Sequence, residues 1–191
     1  MPIRFAFAAS FVALGACTTA PTHAPMPGHE MHMMETAPPA PAQAGGALLG
    51  SPGTAIGTVT AVQGPKGVLI RIDVSAGSLT PGWHGLHLHA VGDCSDLGAY
   101  KKSGGHQGMT EGGHGLLNPA GPEEGDLPNI WVAEGGSAKY EAYSSLFELA
   151  PALDADGLAL IIHEAADDHV TQPIGGAGAR VACAVIEEGG S

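Results

Sequence analysis

Aromatic residues, cations and cysteines are all scarce in this chain, and each shortage excludes something. Phe, Trp and Tyr make up only 5% of the 191 residues, so the core must be built from Val, Ile, Leu and Ala. Lys and Arg number 7 against 19 Asp and Glu, giving a formal charge of -12. That balance excludes nucleic acid as a partner, because phosphates require a basic face. It does not exclude a small anionic substrate, since a local field can oppose the global one. The 3 cysteines allow one disulfide at most. The length fits one medium domain rather than two large ones. What is plentiful is turn chemistry: 30 glycines and 15 prolines among apolar strands favour a turn-rich β protein.

The N-terminus reads as an export signal. A short basic start ends at Arg4, and the apolar run from Phe5 to Ala13 is too short to cross a bilayer. Leu14-Gly15-Ala16-Cys17 then has the form of a bacterial lipobox. Residues 1–16 are expected to be removed, leaving Cys17 to carry lipid and anchor the chain to a periplasm-facing membrane of the bacterial envelope. The plainer alternative is an ordinary secretory signal with an incidental cysteine. Residues 17–45 are rich in Pro, Ala and Thr without apolar periodicity, the composition of a disordered tether. This stretch carries His23, Met26, His29, Met31, His32, Met33 and Met34. Thioether and imidazole together suit copper in both oxidation states, so the tether reads either as an accessory copper-capturing segment or as a plain spacer. If Cys17 is lipidated, Cys94 and Cys183 remain as a pair able to close a disulfide in an oxidising compartment.

From Gly46 onward the texture changes. Thr54–Val62 alternates, with Ile56, Thr58, Thr60 and Val62 expected on one face. Val68, Ile70, Ile72 and Val74 alternate with Leu69, Arg71 and Asp73, a half-buried strand. Further strands are expected at 83–90, 130–133, 138–144, 157–163 and 180–186. Between them the glycine-rich stretch 92–128 has little apolar patterning, and a long irregular loop in a compact domain indicates function or a bound ion. No exposed apolar stripe stands out.

The chemistry-bearing residues are His87, His89, His106, His114, Asp126 and His163. In a strand, His87 and His89 point to the same face and can share a metal. His163 ends an apolar strand, while His106 and His114 lie in the glycine-rich loop. Imidazole suits copper and zinc, and a His/Asp cluster without thiolates is unusual for a structural zinc site. The plain alternative is structural and solvated histidines. His84 has the opposite strand parity to His87 and reads as a structural, hydrogen-bonding histidine.

On these motifs the chain from about Gly53 to Ile186 resembles a copper/zinc superoxide dismutase of the bacterial secreted type. The carriers are Gly85-Leu86-His87-Leu88-His89 followed by Cys94, Gly104-Gly105-His106, His114-Gly115-Leu116-Leu117-Asn118-Pro119, Gly125-Asp126-Leu127-Pro128-Asn129, His163 followed by Asp167, and Gly178-Ala179-Arg180-Val181-Ala182-Cys183. The resemblance implies an all-β Greek-key barrel or sandwich with long metal-binding and electrostatic loops over 46–191. It implies a copper ion on His87, His89, His106 and His163, and a zinc ion on His106, His114 and Asp126. It also implies that Asp167 links the two sites, that Arg180 attracts superoxide, and that Cys94 and Cys183 form a disulfide. Two features depart from the family. Glu123 stands where a third zinc histidine is expected; carboxylate oxygen binds zinc at nearly the imidazole distance, so Glu123 either replaces it or leaves the site weak. The stretch between His163 and Arg180 contains no lysine, with His169 the only extra candidate cation. Two functions follow: an envelope superoxide dismutase, or a copper-binding or copper-delivering lipoprotein of the same fold with little dismutase activity. Monomer and homodimer both remain open.

Overall fold

The computed structural model describes residues 40–190. The stretch expected to be a signal peptide, the expected lipidation site Cys17 and the expected accessory set His23, Met26, His29, Met31, His32, Met33 and Met34 all lie outside the described residues. Eight antiparallel strands form one sheet: β1 (Gln43–Gly50), β2 (Thr54–Gly64), β3 (Gly67–Val74), β4 (Gly82–His89), β5 (Asp126–Val132), β6 (Ala138–Ser144), β7 (Leu158–His163) and β8 (Arg180–Glu188). Their order is β5-β4-β7-β8-β1-β2-β3-β6. The sheet curls until its two outer strands meet, where Tyr140 of β6 donates to Pro128 O of β5 at 3.2 Å. Consecutive strands β3 and β4 are not neighbours, nor are β6 and β7, which is the crossing pattern of a Greek key.

β3 follows its alternation: Val68, Ile70, Ile72 and Val74 are buried while Arg71 and Asp73 are exposed. β2 departs from the expected face. Ile56 is buried, but then Val59 and Ala61 turn inward instead of Thr58, Thr60 and Val62. The cause is a bulge: Leu48 pairs with Gly57 and Leu49 with Ala55, leaving Ile56 as an extra residue that flips the phase. β1 has no counterpart among the expected strands and begins at Gln43, inside the stretch read as tether. β5 starts at Asp126 rather than Ile130, because Asp126 pairs with His87 of β4. Trp83 and Trp131 correct the expectation of no apolar patch. They face each other across β4 and β5, 55% and 51% exposed, edge to face at 5.1 Å. Neither is near the other in sequence, so only the strand register joins them.

From His84 onward β4, and β7 throughout, are buried on both faces. Leu86, Leu88, Leu158, Leu160 and Ile162 point into the barrel with the main core. On the outer face, Ala159, Ile161 and Cys183 are covered by Cys94 and Tyr100 from the β4–β5 connection. That connection is tied down by a disulfide between Cys94 and Cys183, 89 residues apart. Among the described residues no helix is long and apolar enough to cross a membrane. Closing a loop of this length stabilises the domain by about 4.5 kcal/mol in the chain-entropy treatment. Reducing the disulfide, or Cys94→Ser, is therefore expected to lower the melting temperature by about 10 °C in calorimetry; an unchanged midpoint would mean that the tie contributes nothing.

Candidate metal centre

Three strands and two connections bring the expected ligands together. His87 and His89 share the outward face of β4, and His163 ends β7 beside them. His106 reaches them from the β4–β5 connection through an isolated antiparallel bridge with His89. Backbone rungs hold this approach: Gln107 N–H donates to Leu88 O (2.9 Å), Leu88 N–H to Gly125 O (2.8 Å) and Gly125 N–H to Gln107 O (2.9 Å). Gly125 is required here, because a Cβ would strike Leu88 O and lie 3.0 Å from Gln107 N. The rings of His87 and His106 stand 4.2 Å apart, His87 and His163 4.9 Å, His89 and His106 5.2 Å, and His89 and His163 6.3 Å.

All four histidines are buried, and each has one ring nitrogen with no partner: His87 Nδ1, His89 Nε2, His106 Nε2 and His163 Nε2. An unsatisfied buried polar atom costs about 1–3 kcal/mol, so four in one space mark a site shaped for something else. The opposite nitrogens are all engaged. His87 Nε2 meets Asp167 Oδ2 at 2.7 Å, His89 Nδ1 meets Gly104 O at 2.9 Å, His106 Nδ1 meets Glu123 Oε2 at 2.8 Å and His163 Nδ1 meets Gly178 O at 3.1 Å. Each acceptor takes a ring N–H and leaves the lone pair of the other nitrogen free. Burial, with Arg180 nearby, holds His89 far below an ordinary imidazole. Burial and the adjacent His87 ring bring His106 down to about 3 and His163 to about 4. These three rings are neutral at physiological pH, the form that binds metals.

A second cluster shares His106. His106, His114, Glu123 and Asp126, all buried, offer ligand atoms within 4.8 Å of one another. His114 Nδ1 and Asp126 Oδ1 are 2.8 Å apart. Asp126 Oδ2 accepts the N–H of Gly115 at 2.7 Å and of Glu123 at 2.9 Å, and Glu123 Oε1 accepts Thr110 N–H at 2.9 Å. Burial opposes charge on His114, yet its bonds to Asp126 and Asp167 outweigh burial and raise it to about 10. Burial pushes Glu123 up from the usual carboxylate range. Burial acts the same way on Asp126, but His114 and the two backbone donors pull it below that range.

Asp167 joins the two clusters. Its Oδ2 accepts from His87 Nε2 and its Oδ1 lies 3.3 Å from His114 Nε2. Burial works against its ionisation, but the His114 and His87 bonds hold it well below the ordinary carboxylate range. Three residues to which the sequence reading assigned no role position these groups. Asn129 grips the Asp167 backbone from both sides, at 2.9 and 2.8 Å. Gln172 does the same for His114, at 3.2 and 2.7 Å. Ser103 Oγ accepts from Arg180 Nη1 at 2.9 Å. Nothing short of the fold marks them. His84, expected to be structural, lies 2.7 Å from His163 O and 2.8 Å from Thr80 O. His169, the other candidate cation, turns inward, its Nε2 3.2 Å from Asn129 Nδ2 and its Nδ1 3.6 Å from Asp167 Oδ2. Arg180 is fixed by Tyr100 O at 2.6 Å and Gly104 O at 2.8 Å.

The fold is thus a nearly closed all-β Greek-key barrel carrying two buried clusters of metal-ligating side chains that share His106. Comparison with known proteins makes this specific. The family model for copper/zinc superoxide dismutase (SODC) matches residues 55–186, and the chain belongs to that family. It is 48% identical over 138 residues to a copper-zinc superoxide dismutase of Caulobacter vibrioides, covering 69% of this chain and 78% of the relative. The copper/zinc superoxide dismutase of Brucella abortus superimposes with a TM-score of 0.64 at 26% identity, over 76% of this chain and 99% of that one. A superoxide dismutase-like protein of Bacillus subtilis also superimposes at 0.64, with 32% identity over 74% of this chain and 96% of that one. The family implies copper and zinc, and the orphaned nitrogens and the mixed second cluster fit such ions.

Gly175 lies against the linking carboxylate in a left-handed conformation (φ 60), and a Cβ there would overlap Asp167 Oδ1. Gly175→Ala is expected to displace Asp167 and weaken zinc binding about 10- to 100-fold while the barrel still folds. Competition with a chromophoric chelator measures this, with a melting curve on the same sample; wild-type zinc affinity would refute the linking role.

Proposed function

We propose that this protein is a superoxide dismutase of the bacterial cell envelope, converting two superoxide anions and two protons into dioxygen and hydrogen peroxide. The observation that carries this reading is the set of four buried imidazoles, each with one ring nitrogen left without a partner, beside a fixed guanidinium. In this reading His87 Nδ1, His89 Nε2, His106 Nε2 and His163 Nε2 hold copper. Copper supplies a one-electron couple that accepts an electron from one superoxide and returns it to another. The chain's own residues do the rest. Gly104 O, Gly178 O, Asp167 and Glu123 hold the rings at fixed orientation, so little reorganises when the ion's charge changes. Burial pushes Arg180 below an ordinary guanidinium, but it stays charged at working pH and orients the anion beside the four histidines.

The second cluster is proposed to be an altered zinc site formed by His106, His114, Glu123 and Asp126. Two carboxylates neutralise a divalent ion, so His106 feels less positive potential than with a third imidazole. Without an ion there, Glu123 Oε2 accepts a hydrogen bond from His106 Nδ1–H, and with either partner on Nδ1 the Nε2 lone pair stays free. For location, the lipobox at Cys17 and the tether support anchoring to a periplasm-facing membrane. The run His23–Met34 and the Glu123 substitution favour one second reading, a copper-delivering lipoprotein with little dismutase activity.

Superoxide decay, measured with metal content on a soluble form lacking residues 1–17 and reconstituted with both ions, tests the proposal. Fast decay with copper bound supports the enzyme; slow decay with copper bound sinks it in favour of the carrier. A further deletion through residue 45 removes β1 residues Gln43, Ala44 and Gly45, so the tether is best truncated at 39. That truncation should leave turnover unchanged in the enzyme and abolish copper capture at low copper in the carrier. Glu123→His should tighten zinc binding with copper content unchanged; equal zinc affinity would mean Glu123 is not a ligand. Arg180→Ala should slow turnover about tenfold and flatten its ionic-strength dependence at constant metal content, and unchanged turnover would remove Arg180 from the mechanism.

A further inference from the structure

The four residues of the second cluster are buried, so an ion must cross part of the protein to reach them. Three of them face inward. His106 turns its Nε2 to the four-histidine space, where it has no partner. His114 lies against Asp167, and Asp126 accepts the N–H groups of Gly115 and Glu123. Glu123 differs: although only 4% exposed, it lines a cavity of about 340 Å³ that the exposed residues Met109, Glu111 and Gly112 rim. The cavity walls are the segments that fix two of the ligands. Thr110 N–H donates to Glu123 Oε1 at 2.9 Å, and Gln172 Nε2 donates to His114 O at 2.7 Å. Glu111 and Glu123 are the charged side chains here, and no Lys or Arg lines this cavity, so its local field favours a cation. Met109 is 65% exposed. Its thioether lies over Gly105, where an added Cβ would stand 2.9 Å from Sδ, beside the ligand His106. Gly112, left-handed at φ 72, has open space where a Cβ would be, so that side of the mouth is clear. A methionine has three rotatable bonds and an apolar body, so it swings aside at little cost. The four-histidine space meets a different cavity, of about 380 Å³, lined by Lys101, Gly178, Ala179 and Arg180, with Gly178 O accepting from His163 Nδ1. The two cavities share no lining residue.

We propose that the divalent ion of the second cluster enters and leaves through the Met109–Glu111–Gly112 cavity, with Met109 as its lid and Glu123 as the first ligand it meets. The proposal rests on the reading of His106, His114, Glu123 and Asp126 as a divalent-ion site. Exchange by this route bypasses the four-histidine space, so the second ion is lost and regained while copper stays in place. A lid that makes no bond to the bound ion changes the barrier and not the end states. It therefore alters entry and release by one common factor and leaves the affinity alone.

Zinc exchange kinetics on the protein loaded with copper and zinc test this. Transfer of zinc to an excess of chromophoric chelator gives the release rate, and stopped-flow uptake of added zinc gives the entry rate. The part of each signal that Asp126→Ala removes belongs to the second cluster. Met109→Ala is expected to speed release and entry alike by about tenfold, and Met109→Trp to slow both, with zinc affinity and copper content unchanged in each. Leu97→Ala, which trims another exposed apolar side chain of the same connection, should exchange zinc as the wild type does. Rates that ignore the size of residue 109 overturn the proposal. So does a Met109→Ala protein that releases zinc faster but takes it up at the wild-type rate, because Met109 would then hold the bound state and not guard a passage. A wild type whose zinc signal survives Asp126→Ala defeats the site and the port together; zinc bound at the cluster with exchange indifferent to residue 109 defeats the port alone.

Discussion

Four imidazole nitrogens are held out of water with nothing in the protein to bond them, and the rest of the structure is arranged around that constraint. Left alone, such atoms destabilise a fold. They persist because the other nitrogen of each ring is fixed by an oxygen: the Asp167 carboxylate, the carbonyls of Gly104 and Gly178, and the carboxylate of Glu123. The barrel supplies His87, His89 and His163 on two paired strands. The orienting oxygens come from the connections, so ligand geometry depends on how firmly those connections are held.

They are held by several independent means. The disulfide binds the β4–β5 connection to β8. Arg180 spans the same two elements through Tyr100 O, Ser103 Oγ and Gly104 O. Gly125 and Gln107 extend the hydrogen bonding of β4 past the sheet edge. Asn129 and Gln172 clamp the backbones of Asp167 and His114. Burial of the rings between these elements keeps His89, His106 and His163 neutral. Structural support and metal chemistry therefore use the same groups.

The parts legible in the sequence were those with local signatures. The period-two pattern of Val68–Val74 gave β3, and the His87-Leu88-His89 spacing placed two imidazoles on one face. The family motifs ordered the remaining candidate ligands, Asp167 lies between His87 and His114, and the disulfide stands where the resemblance put it. Failures came where pairing overrides local pattern. The Ile56 bulge reversed the face of β2, β1 was hidden in a Gly- and Ala-rich stretch, and Asp126 was drawn into β5 by its cross-strand partner His87. The paired Trp83 and Trp131 are likewise a product of register.

The sequence by itself determined the ligand types, their order and the face on which His87 and His89 lie, because residue chemistry and strand periodicity are local properties. Only the tertiary structure decided which nitrogen of each ring is free, that Glu123 faces His106 Nδ1, that His169 meets Asn129, and that Lys101 shares a cavity with Arg180. Those outcomes depend on contacts between residues 15 to about 80 positions apart, and no local pattern encodes which carbonyl or carboxylate will lie opposite a given side chain once the barrel has closed.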